Sequence, residues 1–245
     1  GILLRDKGFA VTAVVSSNDA AKDWATQQSI PAIEWGDDLE KAVGHLDYDW
    51  LFSIANLRMI PQPVWQKARR GAINFHDGPL PRLAGLNAPT WAILEGETTF
   101  GVTWHEITEG ADEGKIYRQT HFDINPDEIS LTLNTKCLAA GVETFAKLVD
   151  DINNNALTGV AQDFSQRGYF AKSKRPDAAG TLPFEKSAED LSRLHRALNF
   201  GAGYTNRMVH PKIRHAEGIF LLTTFTVLGL PDDPKPAGFI RSVGP

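Results

Sequence analysis

The sequence predicts an α/β fold: an open, mostly parallel sheet over residues 1–158, a connector over 159–180, and a small β-rich unit over 181–245. Three observations carry this reading. Short apolar runs alternate with short helical patterns as far as Gly96. Two longer segments of alternating polarity then precede one long amphipathic pattern. From about Gly159 the composition shifts, and all six tryptophans lie before residue 105.

In order, "ILLRDKG" reads as the closing turns of a helix, with Gly8 as its stop signal. "FAVTAVV", Phe9 to Val15, reads as a buried strand. In a sheet of this kind a strand normally precedes such a helix, so a first strand is expected to be missing before Gly1. Asn18 or Asp19 caps a helix over Ala20 to Gln28. "IPAIEW" is a short strand, and "DDLEKAVGHL" a short helix whose acidic first turn suits the macrodipole. "DWLFSIAN" has the apolar run of a central parallel strand, and Pro61 opens the next helix. "AINF" is a further strand, leading through "HDGPLPRLAGLN" into a helix with Asn87 as cap and Pro89 early inside it.

"TFGVTWHEI" and "KIYRQTHFDI" are paired strands around the turn "TEGADEG". Ser130 to Asn155 forms one long helix with Leu131, Leu138, Val142, Phe145 and Leu148 on its apolar side. "DFSQRGYFAKSKRPDAAG" is a polar, basic connector. "SAEDLSRLHRALNF" is a helix with Ser187 as cap and Asp190 three residues on. "PKIRHAEGIFLLTTFTVLG" gives two strands around a Glu217-Gly218 turn. The end, with four prolines in 15 residues, reads as a loop or linker leading onward.

Composition narrows the class. The chain is 42% hydrophobic, 22% charged, and contains no run near the ~20 apolar residues a membrane helix needs. Cys137 is the single cysteine, so neither an internal disulfide nor a cysteine-based metal site is expected. No metal-ligand cluster or glycine-rich phosphate fingerprint stands out, and a cytoplasmic protein without membrane association is expected. The net charge of −5 is uneven: residues 164–214 hold 10 Lys and Arg against 4 Asp and Glu. That excess suits either a solvated surface or an acidic partner.

Chemistry is expected at "GAINFHDGPLPRLAGLNAPTWAI", Gly71 to Ile93. Ligands gather at the carboxyl ends of strands in an open parallel sheet. Side chains two apart on a strand share a face, so Asn74 and His76 point the same way at that rim. Pro79 and Pro81 stiffen the following loop, and Gly78 and Gly85 permit close backbone approach. An amide donor beside an imidazole suits acyl transfer, the amide holding an oxyanion while the imidazole handles a proton. Asp112, between Gly110 and Gly114, is the favoured carboxylate partner; Asp77 competes but faces the other way on the strand. The triplet alone also fits a strand terminus with a turn-capping Asn. His105 and the remaining histidines read as structural or surface residues.

Taken together, "NFHDGPLPRLAGLNAPTWAI" and "GVTWHEITEGADEG" resemble the signatures of the 10-formyltetrahydrofolate-dependent formyltransferase superfamily. That resemblance covers residues 1–155 and implies a Rossmann-like domain with Asn74, His76 and Asp112 as the catalytic trio. By the same match, "IANLRMIP" corresponds to the folate-binding strand end. Leu57, Arg58 and Ile60 would lie against the pterin, with Thr108, Gly110 and Ala111 closing the pocket. "RALNFGAGYTNRMVHPKI" is similar to the stretch that opens the small OB-like β-barrel of methionyl-tRNA formyltransferase. Formyltransferase domains at the start of nonribosomal peptide synthetases share the "GLNAPTWA" wording.

Asp77-Gly78 stands where the superfamily has Pro-Ser, removing a hydroxyl near the centre. The implied co-substrate is 10-formyltetrahydrofolate, without a metal. The implied partner is an amine acceptor, free or held on a carrier protein or tRNA, and the chain would be fused to downstream synthetase modules. Three readings stay open: N-formylation in peptide natural-product assembly, formylation of methionyl-tRNA or an amino sugar, and a degenerate domain that binds folate or a carrier without catalysis.

Overall fold

The structure, a computed structural model, describes residues 1–36, 38–201, 206, 208–228, 236 and 238. Its residues fall into two units. The first gathers Gly1–Ala84, Gly101–Thr120 and Leu138–Gly168; the second gathers Gly85–Phe100, His121–Cys137 and Tyr169–Pro245.

The chain opens with α1 (Ile2–Asp6), ended by Gly8 at φ 86°, a left-handed conformation that glycine adopts without a Cβ penalty. Lys7 Nζ bonds Asp150 Oδ1 at 2.5 Å, and Asn153 Nδ2 donates to the Lys7 carbonyl at 3.0 Å. β1 (Val14–Ser16) pairs parallel with β2 (Ala32–Glu34). The strand expected over Phe9–Val15 is thus confined to its last residues, because a strand exists only where a partner supplies ladder bonds. Between them lies α2 (Asp19–Gln27), capped by the Asn18 side chain accepting from the Ala21 N–H.

α3 (Leu39–Val43) and α4 (Gln62–Gln66) cover an apolar cluster of Leu39, Val43 and Val64, into which Ile33, Leu51 and Ile60 pack. β3 (Trp50–Ser53) runs parallel to β4 (Gly71–His76), with Ser53 opposite Asn74. The two-residue β5 (Ala84–Gly85) follows, and then α5 (Ala88–Glu95). β6 (Thr99–Glu106) lies antiparallel to β4, and β7 (Ile116–Asp123) completes a four-stranded sheet in the order β3-β4-β6-β7. An apolar central strand such as β6, buried over Phe100–His105, forms because both its faces are covered.

α6 (Ser130–Asn153) follows. Within the first unit its buried face carries Phe145, Leu148, Val149 and Ile152. Phe145 stacks on Trp104 and meets Phe52 edge-on, and Trp104 Nε1 donates to Thr144 Oγ1 at 3.0 Å. The expected stripe holds for Phe145 and Leu148 but not for Leu138 and Val142, which are 53% and 70% exposed. The buried rows run through Cys137, Gly141, Phe145 and Leu148, because Phe75 presses on Gly141.

In the second unit, β8 (Tyr169–Phe170) pairs with β5, and α7 (Ala188–Ala197) packs on α5. Ser187 caps α7 as expected, accepting from the Asp190 N–H at 3.1 Å while its hydroxyl donates to Asp190 Oδ2 at 2.7 Å. Ser130 Oγ donates to the Ala197 carbonyl, so Thr90 must donate to Ser130 in the adjoining bond. Asn87 takes the N-cap place of α5 at φ 61°, but its side chain makes no capping bond.

β9 (Lys212–His215) and β10 (Gly218–Leu221) form the expected antiparallel pair. The described residues show this pair and no closed barrel over 181–245; residues 202–205, 207, 229–235, 237 and 239–245, on which the rest of that expectation falls, lie outside them. No helix of the described chain is long and apolar enough to cross a membrane.

Candidate active site

The sheet register assembles the site. Parallel pairing sets Ser53 beside Asn74, and antiparallel pairing sets Asn74 beside His105 and His76 beside Thr103. Directly paired residues share a face. Asn74, His76, Thr103 and His105 therefore stand together, while Phe75 and Trp104 turn to the opposite face and pack tilted at 5.0 Å between ring centroids. The polar face lies at the carboxyl end of β4.

The loop after His76 is held by hydrogen bonds. Thr103 Oγ1 donates to the Gly78 carbonyl at 2.8 Å and accepts from the Leu80 N–H at 3.2 Å. Gln119 Nε2 donates to Leu80 O and to Thr103 Oγ1, each at 2.9 Å. Gly78 thus contributes its carbonyl, a role that needs no side chain at the position where the sequence departs from Pro-Ser.

His76 is buried, and its Nε2 lies 2.7 Å from the Leu83 carbonyl. A carbonyl only accepts, so Nε2 carries a proton and Nδ1 is the nitrogen left for acid–base work. Nδ1 faces Asp112 Oδ2 at 3.7 Å and Asp77 Oδ1 at 4.0 Å. Asp112 sits in the turn between β6 and β7 at φ 57°, a left-handed conformation that Asp tolerates better than most residues.

The second oxygen of Asp112 lies near His105, a histidine expected to be structural. His105 Nε2 lies 3.4 Å from Asp112 Oδ1 and 3.1 Å from Asn74 Nδ2. Its Nδ1 donates to the Glu106 carbonyl at 2.8 Å, so in the neutral ring Nε2 accepts from Asn74. Asn74 is thereby oriented with one N–H spent on His105 and the second directed elsewhere. The available signal was the strand spacing in "GVTWHE", which places His105 two residues from Thr103 on one face.

The structure thus brings Asn74, His76 and Asp112 together as expected and adds His105 to them. Asp77, expected to face away, also comes within ion-pair reach of His76. Burial pushes the Asp77 carboxyl above the usual carboxylate range, against the opposing pull of His76.

The residues expected at the pterin lie in two segments, 57–60 after β3 and the Asp112 turn. Leu57 and Arg58 lie in the loop that leaves β3 beside Asn74, and Leu57 is 72% exposed. Asn56 closes that loop: its Oδ1 accepts from the Arg58 N–H at 3.1 Å and its Nδ2 donates to the Arg58 carbonyl at 2.8 Å. The Arg58 guanidinium lies 5.8 Å over the Trp35 ring. Ile60, partly buried, packs against the apolar cluster of Leu39, Val43 and Val64. Thr108, Gly110 and Ala111 belong to the Asp112 turn, where Thr108 Oγ1 donates to the Gly110 carbonyl at 3.3 Å. Among the described residues no group of three or more His, Cys, Asp or Glu is placed to hold a metal ion.

A family model described as formyl transferase matches residues 5–149. Solved structures share the fold. A 4-N formyltransferase from Francisella tularensis is 20% identical with a TM-score of 0.70, over 88% of this chain and 87% of its own. A sugar N-formyltransferase from a Shewanella species is 20% identical with a TM-score of 0.67, over 94% and 92%. An N-formyltransferase from Helicobacter canadensis, solved with folinic acid and dTDP-3-aminofucose, is 21% identical with a TM-score of 0.56, over 77% and 80%.

Proposed function

We propose, from the premise that this chain belongs to the formyl transferase family, that it moves a formyl group from 10-formyltetrahydrofolate to a primary amine. The observation that carries the reading is the convergence of Asn74, His76 and Asp112: Asp112 Oδ2 lies 3.7 Å from His76 Nδ1, and His105 Nε2, 3.1 Å from Asn74 Nδ2, orients the amide beside them. The loop leaving β3 suits a pterin: Ile54, Leu57 and Met59 expose apolar surface there for a flat ring, beside the Arg58 backbone groups ordered by Asn56. Bound there, the folate supplies an activated formyl group.

Each polar side chain then has one task. The second N–H of Asn74, with its amide set by His105, meets the oxygen that gains charge as the amine attacks. His76 offers Nδ1–H to the same oxygen, its ring held by the Leu83 carbonyl. Asp112 accepts the proton that the amine sheds and returns it to the folate nitrogen as that nitrogen's bond to the formyl carbon breaks. Asp77, held protonated more readily than an ordinary carboxyl, leaves the task of countercharge to Asp112.

The acceptor divides into two readings. An amino sugar is favoured by the solved structure that holds dTDP-3-aminofucose. An aminoacyl group in peptide assembly is favoured by the wording of residues 74–93, with carrier-bound delivery and a cytoplasmic setting as parts of that reading. The deciding experiment incubates the protein with 10-formyltetrahydrofolate and, separately, a dTDP-amino sugar, an aminoacylated carrier protein and methionyl-tRNA. A gain of one formyl mass on one acceptor class is expected. No gain on any primary amine would overturn the assignment.

A further inference from the structure

We propose that the segment Gln162–Gly168, after α6, is a brace that sets both halves of the proton-handling pair: Gln162 and Arg167 position Asp112, and Gly168 positions the loop that holds His76. The inference rests on the formyl-transfer reading for its kinetic consequence, and on geometry alone for the brace itself.

Asp112 sits in a turn between two glycines, with its carboxylate between two imidazoles. The turn is held by its carbonyls. Gln162 Nε2 donates to the Asp112 carbonyl at 2.9 Å and to the Gly114 carbonyl at 2.7 Å. Arg167 Nη1 donates to the Asp112 carbonyl at 3.2 Å, and Nη2 to the Ala111 carbonyl at 2.8 Å. Four N–H groups thus converge on three carbonyls that flank one functional side chain. Arg167 also lies 3.4 Å from the Glu113 carboxylate and 5.7 Å over the Phe164 ring, which fixes its planar fork.

Gln162 carries a second mark of purpose. Its Oε1 is buried with no hydrogen-bond partner among the described residues. Such an orphaned acceptor is costly, so this amide is placed for its two N–H groups.

The same segment grips the His76 loop. Gly168 N–H donates to the Pro81 carbonyl at 3.2 Å, and its own carbonyl accepts from the Ala84 N–H at 2.9 Å. A Cβ on Gly168 would lie 2.1 Å from the Arg82 carbonyl oxygen, so only glycine lets the two backbones come this close. Leu83, whose carbonyl holds His76 Nε2, lies between these anchor points. The brace is itself anchored: Val160 and Ile116 exchange two backbone bonds of 2.8 Å, and Asp163 accepts from Ser165 and Gln166 around the 3-10 turn Phe164–Gln166.

The test uses the full chain with Gln162→Glu, Gln162→Leu, Arg167→Ala, Arg167→Lys and Gly168→Ala. Steady-state kinetics and backbone hydrogen exchange of residues 108–115 are read in parallel. Displacement of Asp112 by about 1 Å is expected to lower kcat about 10²-fold with little change in the KM for 10-formyltetrahydrofolate. Arg167→Lys should retain more activity than Arg167→Ala. In Gln162→Glu the deficit relative to wild type should shrink at low pH, where the protonated acid donates one bond again, and deepen as it ionises against two carbonyls. Exchange over 108–115 should quicken while β4 and α6 keep their protection. Wild-type kcat with unchanged exchange in these variants, or exchange that rises equally across β4 and α6, would overturn the brace. If the wild-type protein itself moves no formyl group, the functional reading falls, and the exchange contrast alone then upholds or overturns the brace.

Discussion

Two aspartates compete for one imidazole, and their surroundings separate them. The Asp77 carboxyl is raised by burial, so the folded state binds its proton more tightly than the unfolded chain does. Its sign follows from linkage: the folded state loses stability as pH rises from the ordinary carboxylate value through the raised one. Asp77→Asn is therefore expected to raise the melting temperature at pH 7, with the gain vanishing near pH 3; thermal melts at both pH values check it. The same variant should keep most of its kcat if Asp112 is the working carboxylate. His105 has the opposite character, working through an acceptor nitrogen. His105→Ala releases the Asn74 amide and is expected to lower kcat by about 10²-fold, the scale of a lost oxyanion donor, whereas His105→Gln, whose carbonyl can accept the same N–H, keeps more. Rates of the two variants side by side measure this. Asn74 and His76 were legible in the sequence because spacing by two within one strand is local information. His105 was not, because its meaning depends on which residue of a distant strand it faces. A one-residue slip in the β4–β6 register would turn it to the Phe75 side.

At the scale of elements, the site depends on a sheet clamped between a polar face and an aromatic one. Phe75 stands between Asn74 and His76 in sequence and reaches Gly141 on α6 from the other face. A Cβ at Gly141 would lie 2.7 Å from the end of the Phe75 ring. Gly141→Ala is expected to cost about 1–3 kcal/mol by overpacking, despite the better helix propensity of Ala. Part of the strain should reach β4, so kcat should fall along with stability; urea melts and single-turnover rates on one preparation test this. Periodicity announced α6 and the alternating pair β6 and β7, since those patterns are intrinsic to each segment. It assigned Leu138 and Val142 to the wrong face because the buried face is chosen by its partner, here Phe75 and Trp104, and not by the helix. The Gln162–Gly168 segment was hidden for a related reason. Polar side chains that bind backbone carbonyls have the composition of a solvated linker.

At the scale of the molecule, the basic excess over residues 164–214 invites a polyanion such as tRNA, but much of that charge is spent within the fold. Lys174 Nζ lies 4.2 Å over Phe170 and 4.8 Å over Trp91. Arg175 donates to the carbonyls of Lys172 and Lys174. Arg193 and Arg196 pair with Asp190 and Glu189 on their own helix, and Arg167 binds the Asp112 turn. Each of these cations would have to surrender a partner to reach a phosphate. A tRNA engaging 6–10 phosphates loses about 10³–10⁵ in affinity between 50 and 200 mM salt, while an acceptor with one diphosphate or a small acidic patch loses far less. The acceptor KM is therefore expected to rise less than about tenfold over that range. The measurement is a salt series of initial rates for each acceptor that gains a formyl mass, at saturating 10-formyltetrahydrofolate. A rise of several powers of ten would mean that the internal pairs open to a polyanion, and would move the acceptor from a small amine or carrier-bound group to tRNA.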